Sequence, residues 1–212
     1  MTHGRPARAT IGRRRAAGVL VAIAAIAVLG CASVLSSSLT VPSPSSAASR
    51  IDRSRDERRD AIGEAGGVVP DGTTVFDDDV PGIANLDPAL LRALRRAATD
   101  AAADGVELVV NSGWRSPAYE DRLRREAVSR YGSEAEAARW VATGTTSPHV
   151  SGDAVDLGPA DATPWLSAHG AAYGLCRIYA NEPWHYELRP GAVTHGCPAM
   201  YADPTQDPRM QP

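Results

Sequence analysis

Pro183, between Glu182 and His185, sets the strongest limit on how this chain can fold. Proline lacks a backbone N–H, clashes with the preceding turn of a helix, and pushes the residue before it toward extended backbone. The segment Glu182-Pro183-Trp184-His185 is therefore barred from a helix that would show two ligands one turn apart. Any site it contributes to is built from strands and loops. A second segment, 147–156, reads Ser-Pro-His-Val-Ser-Gly-Asp-Ala-Val-Asp. It offers an imidazole, His149, and a carboxylate, Asp156, with Gly152 able to make the bend between them. His149 is expected on a loop and Asp156 on the strand that follows.

Three nitrogen or oxygen ligands with a fourth position open is the layout of a catalytic zinc site. His149, Asp156 and His185 can supply those three. Glu182 is then left over beside a ligand and suits a general base. Zinc in such a site lowers the pKa of bound water and polarises a carbonyl. Each residue also has an ordinary reading. A lone His is usually structural or on the surface, and an Asp near Gly is often a turn residue. Spacing alone leaves metal binding and incidental placement both open.

The surrounding pattern is α+β, a small central antiparallel sheet with helices packed on it. Asp87-Pro88 is an N-cap and first helical position, and Leu90, Leu91, Leu94, Ala97 and Ala98 follow at helical spacing. Residues 106–110, Val-Glu-Leu-Val-Val, form a strand. Ser116-Pro117 opens a second helix. Ser133 with Glu136 forms a capping box for a third, which should end near Thr143-Gly144. Residues 154–157 are a short strand and 164–172 a helix. Residues 176–179 and 184–188 read as a closing hairpin.

Arg13-Arg14-Arg15 followed by the small apolar run 16–29 has the form of an export signal. Residues 1–35 are read as signal peptide or membrane anchor. Val28-Leu29-Gly30-Cys31 resembles a bacterial lipobox, although Leu29 departs from the small residue usual there. Lipidation of Cys31, a cleaved signal and a retained anchor all remain open. Each places the rest of the chain outside the cytoplasm, secreted or held at the outer face of the bacterial membrane. Residues 36–69 are a Ser/Pro-rich and then charged linker, 70–190 the catalytic domain and 191–212 a C-terminal tail. Residues 1–49 carry five Arg and no acid, so a formal net charge of −3 leaves −8 for the rest. An acidic body without a basic cluster argues against nucleic acid as a partner. Apart from Cys31 the chain has Cys176 and Cys197. In an exported domain this pair reads first as a disulfide, with metal ligation the alternative that lacks CxxC spacing.

The pattern SxHxxGxAxD, filled by Ser147, His149, Gly152, Ala154 and Asp156, followed by ExWH at Glu182, Trp184 and His185, resembles the signature of VanY-type zinc D-alanyl-D-alanine carboxypeptidases. D,D-dipeptidases and L-alanyl-D-glutamate endopeptidases share that superfamily. The upstream element SG[YW]RS is present as Ser112-Gly113-Trp114-Arg115-Ser116, and the resemblance spans about residues 85–189. It implies His149, Asp156 and His185 as Zn2+ ligands and Glu182 as catalytic base. It implies Arg115 as a residue that binds or polarises substrate and Ser147 as a hydrogen-bond donor to it, though a loop Ser can equally be a cap. Trp184 could wall the pocket or fill the core. The implied function is a monomeric enzyme that removes the terminal D-Ala from peptidoglycan stem peptides. The alternatives are an L-alanyl-D-glutamate endopeptidase on the same scaffold and an inactive wall-binding module. His169 and His195 are assigned to no metal.

Overall fold

The computed structural model describes residues 61–160 and 162–211. The signal or anchor reading, the lipidation of Cys31 and the linker as far as residue 60 lie outside the described residues.

The elements run α1 (Pro81–Ala84), α2 (Pro88–Ala103), β1 (Val109–Ser112), α3 (Pro117–Tyr131), α4 (Glu134–Ala137), α5 (Pro148–Ser151), β2 (Ala154–Gly158), α6 (Ala162–His169), β3 (Leu175–Arg177), β4 (His185–Leu188) and α7 (Ala192–His195). Helix α2 starts where Asp87 accepts hydrogen bonds from the N–H groups of Ala89 and Leu90, with Pro88 in the first turn. Helix α3 starts in the same way at Ser116 and stops at Gly132, whose φ of 85° is left-handed.

The four strands form one antiparallel sheet in the order β1-β2-β4-β3. Alternation along the strands gives the sheet two different faces. Val110, Val155, Leu157, Leu175 and Tyr186 join Leu90, Ala93, Leu94, Ala97 and Ala101 of α2 in the main core. The opposite face carries Asp156 opposite His185, and Cys176 opposite Glu187. That face carries the candidate site residues, and α2 packs on the other. Leu94 is fully buried there. We expect Leu94→Ala to lower stability by about 2–5 kcal/mol, read as a shift in the denaturant midpoint, through lost burial and the cavity left behind.

Four expectations need correction. The first strand covers Val109–Ser112 rather than 106–110, because its partner β2 ends at Gly158 and Pro159 has no N–H to continue the ladder. The third helix is a single turn, Glu134–Ala137. Beyond it Trp140 turns back to stack on Tyr131 at 5.7 Å, and Arg124 Nη1 donates to Val141 O at 2.6 Å. His149 lies in the one-turn helix α5, which Ser147 caps, rather than on a loop. The sequence also gives 61–69 to the linker, yet this stretch packs on the domain. Ser116 donates from Oγ to Ala61 O at 2.6 Å and from N to Gly66 O at 2.8 Å. Cys176 and Cys197 form a disulfide.

Candidate metal centre and active site

Helix α5 ends at Gly152 with φ 80°, and a Cβ there would lie 2.5 Å from Asn85 O. Only glycine fits that turn, which reverses the chain so that His149 and Asp156 converge. Pro183 keeps 182–185 out of a helix, and β4 then brings His185 opposite Asp156 across the ladder. The segment 112–116 holds the site from below. It fixes α5 with one side-chain and one backbone bond: the Trp114 indole Nε1 donates to Val150 O at 3.1 Å and Arg115 N to His149 O at 3.1 Å.

His149, Asp156 and His185 are all buried. His149 Nδ1 is 2.8 Å from Gly113 O. A carbonyl can only accept, so Nδ1 carries the proton and Nε2 keeps its lone pair. His185 Nε2 is 3.2 Å from Glu187 Oε1, which leaves Nδ1 as the inward nitrogen. His149 Nε2 and His185 Nδ1 are 3.3 Å apart, and Asp156 Oδ1 lies 3.4 Å from the first and 3.3 Å from the second. Three electron-rich atoms at this spacing repel unless a cation or proton joins them. A tetrahedral ion with bonds of about 2.0–2.1 Å has a donor–donor edge of about 3.3–3.4 Å. The residues therefore fit a metal ion, which His149 Nε2, His185 Nδ1 and Asp156 Oδ1 would hold.

The electrostatics of the three follow from the same contacts. Burial alone would lower the pKa of His185, but hydrogen bonds to Asp156 and Glu187 outweigh it and raise the ring to about 9. Burial would raise Asp156, yet His149, His185 and Arg115 hold it well below the usual carboxylate range. Glu187 is likewise lowered to about 2, against burial, by hydrogen bonds from His185 and Arg209. A metal must displace the proton that His185 holds below about pH 9. Apparent metal affinity should then rise with pH by about tenfold per unit until that point, where it levels off. Competition with a chromophoric chelator at pH 6.5, 7.5 and 8.5 measures this, and a flat series would contradict the proton's place on His185.

Glu182 is buried beside these ligands, its Oε2 3.8 Å from His185 Nδ1. Its other oxygen, Oε1, has no hydrogen-bond partner among the described residues. Burial is the main cause that pushes its pKa up to about 7, with the charge of Asp156 adding to it. A carboxylate poised near neutrality can both take and return a proton.

Arg115 spends its fork within the site. Nη2 donates to Asp156 Oδ2 at 2.8 Å, Nη1 to Glu120 Oε2 at 3.0 Å and Nε to Ser112 Oγ at 2.8 Å. It orients the carboxylate whose other oxygen belongs to the ligand set, and only the second hydrogens of Nη1 and Nη2 stay available. Ser147 Oγ accepts from His149 N at 3.3 Å, as a cap, and also lines the cleft. Trp184 is exposed and forms cleft wall rather than core. The cleft, of about 260 Å³, is lined by His149, Asp156, Glu182, His185, Arg115 and Tyr179, and extends past Tyr131 and Trp140.

Two partners escaped the sequence reading. Glu187 had a signal, since two positions after His185 on a strand lies the same face. Glu120 had none, because an acid in the first turn of a helix ordinarily complements the helix dipole. His169 stacks on Trp165 at 4.8 Å and His195 lies exposed at the end of α7, so neither is among the trio.

The family model described as VanY, D-alanyl-D-alanine carboxypeptidase, matches residues 84–190, half of the chain. The chain belongs to the VanY family. All of β1 to β4 and the trio His149, Asp156 and His185 fall within the matched stretch. A D-alanyl-D-alanine carboxypeptidase of Enterococcus faecalis is 32% identical over 41% of this chain and 41% of that protein. The VanY-family chain thus spans about two fifths of the length of that relative. Among solved structures, the vancomycin-resistance D,D-pentapeptidase VanY of a VanB-type cassette, in complex with Zn(II), is 29% identical. It covers 49% of this chain and 72% of that one, with a TM-score of 0.46. VanYB in complex with D-alanine-D-alanine is 27% identical, covers 52% and 74%, and has a TM-score of 0.49.

Proposed function

We propose that this VanY-family chain is a zinc-dependent D-alanyl-D-alanine carboxypeptidase that removes the terminal D-Ala from peptidoglycan stem peptides. The observation that carries the reading is the trio His149, Asp156 and His185, with donor atoms 3.3–3.4 Å apart, beside the unpartnered carboxylate oxygen of Glu182. One acid and two imidazoles of this spacing suit zinc, with its preference for four-coordinate nitrogen and oxygen sites. Zinc bound there would supply an acidified water and a polarised scissile carbonyl.

The protein's own groups do the rest. Glu182 takes a proton as the water oxygen bonds to the carbonyl carbon. It returns that proton to the nitrogen as the C–N bond breaks, releasing free D-Ala. Arg115 keeps Asp156 aimed inward, and its spare N–H groups with the Ser147 hydroxyl face the substrate's oxygens. Trp184 and Tyr179 restrict water on the cleft walls. The Arg-led apolar N-terminus would deliver the domain outside the cytoplasm, where such stem peptides lie.

The test is a peptide ending in L-Lys-D-Ala-D-Ala. The expected result is release of D-alanine that stops with a chelator and returns with zinc. No release from zinc-loaded protein, with cleavage of intact muropeptides nearer the sugar, would replace this reading by the L-alanyl-D-glutamate endopeptidase. Binding of peptidoglycan without cleavage of either would leave a wall-binding module.

A further inference from the structure

The face of the sheet that carries the metal ligands is covered from outside the family-matched stretch. The covering segment follows Cys197, whose disulfide partner Cys176 stands directly opposite Glu187 in the β3–β4 ladder. Tyr201 N donates to Ile178 O at 3.0 Å, and Ala180 N donates back to Tyr201 O at 2.9 Å. Two Asp-Pro steps, at Asp203 and Asp207, then cap short 3-10 turns, Pro204–Gln206 and Pro208–Met210. The second turn delivers Arg209 to Glu187. Its Nη1 donates to Glu187 Oε2 at 2.7 Å and its Nη2 to Oε1 at 3.2 Å. Asp207, fully buried, fixes that guanidinium from the other side, with Arg209 Nη2 to Oδ2 at 2.5 Å, and accepts from Tyr179 OH at 2.9 Å. The Tyr179 ring in turn lies 5.1 Å from that of His185.

We propose that the C-terminal segment 198–211 is a positioning element of the metal centre, with Arg209 as its acting residue. Arg209 fixes the Glu187 carboxylate, and Glu187 holds the Nε2–H of His185 so that Nδ1 points at His149 and Asp156. The inference rests on the reading of those three residues as metal ligands. Its physical ground is twofold. Buried ion pairs repay their desolvation poorly, so two fully buried carboxylates around one guanidinium are weak devices for stability. A ligand imidazole is different, because the partner of its outer nitrogen sets its tautomer and ring angle, and loss of such a partner weakens metal binding by about 10–100-fold. Arg189 also reaches Glu187 Oε2, at 2.6 Å, but from one side only. Without Arg209 the carboxylate is free to swing toward Arg189 and away from His185.

The test uses the full chain with its disulfide formed, and reads metal rather than turnover. Zinc affinity is measured by competition with a chromophoric chelator, and ligand geometry by visible absorption of the Co2+-loaded protein. Wild type should take up one equivalent. Arg209→Met should bind zinc about tenfold more weakly or worse, with an altered cobalt spectrum. Arg209→Lys keeps a charge without the fork and should fall between them. Should Arg209→Met fail to fold, Arg209→Lys decides. Equal affinity and superimposable spectra in wild type and folded variants would overturn the positioning role while leaving the ligand set standing. A wild type that takes up no metal would overturn the ligand set itself, and the positioning role with it.

Discussion

Glu182→Gln is expected to keep the full complement of metal and lose about 10²–10⁴-fold in turnover. The amide has the volume of the carboxylate and cannot hold a transferable proton. Glu182 stands outside the mutually close donor trio, so its loss should leave metal affinity nearly unchanged. Its sign on stability is also defined. The unpartnered Oε1 and the rise of the pKa to about 7 mean that burying this group charged is unfavourable. A group raised in this way makes the native state less stable above its pKa than below it, so neutral Gln should preserve or improve the stability of the metal-free protein near pH 8. Metal content by elemental analysis, D-alanine release and thermal unfolding separate these effects. Loss of metal together with activity would move Glu182 from base to ligand.

His185→Ala is expected to abolish both metal binding and turnover. Outer partners of a ligand are worth ~10–100-fold in affinity, and removal of the ligand itself should exceed that. The change is felt twice, because His185 also bridges Asp156 and Glu187 and leaves both short of a donor when removed. Arg115 still holds the first, and Arg189 with Arg209 the second, so the fold should persist at reduced stability. Calorimetric titration with zinc measures the loss, with thermal unfolding of the metal-free protein as the check on folding. Stoichiometric tight binding by a folded His185→Ala would show that another side chain completes the centre. The two replacements thus differ in one readout, metal content, and that difference is what distinguishes a base from a ligand.

Much of the architecture was legible because it follows from local rules. Asp87-Pro88 and Ser116-Pro117 announce the starts of α2 and α3, since a capping oxygen and a missing N–H act within one turn. Gly152 and Pro183 predict a site of turns and strands for the same reason: each restricts its own backbone. The misplaced first strand and the overlong third helix share one cause. Val106 has the composition of a strand but no partner, and Arg139 and Trp140 could extend a helix but are drawn off by distant contacts. Propensity yields there to tertiary pairing.

The sequence by itself singled out the candidate side chains: His149, Asp156, Glu182 and His185 in two short segments, with Arg115 in a third. It also kept Glu182 and His185 off a shared helix, since Pro183 lies between them. Only the tertiary structure decided how they are held. The pairing of Arg115 with Asp156 spans 41 residues and that of Arg209 with Glu187 spans 22. Which carboxylate each guanidinium reaches depends on strand register and on the path of the segment beyond the disulfide. A dihedral preference acts over a few residues, whereas the partner of a buried charge is whichever opposite charge the packed chain brings within hydrogen-bond distance. For that reason the candidate groups could be named from the linear chain, and their hydrogen-bond partners could not.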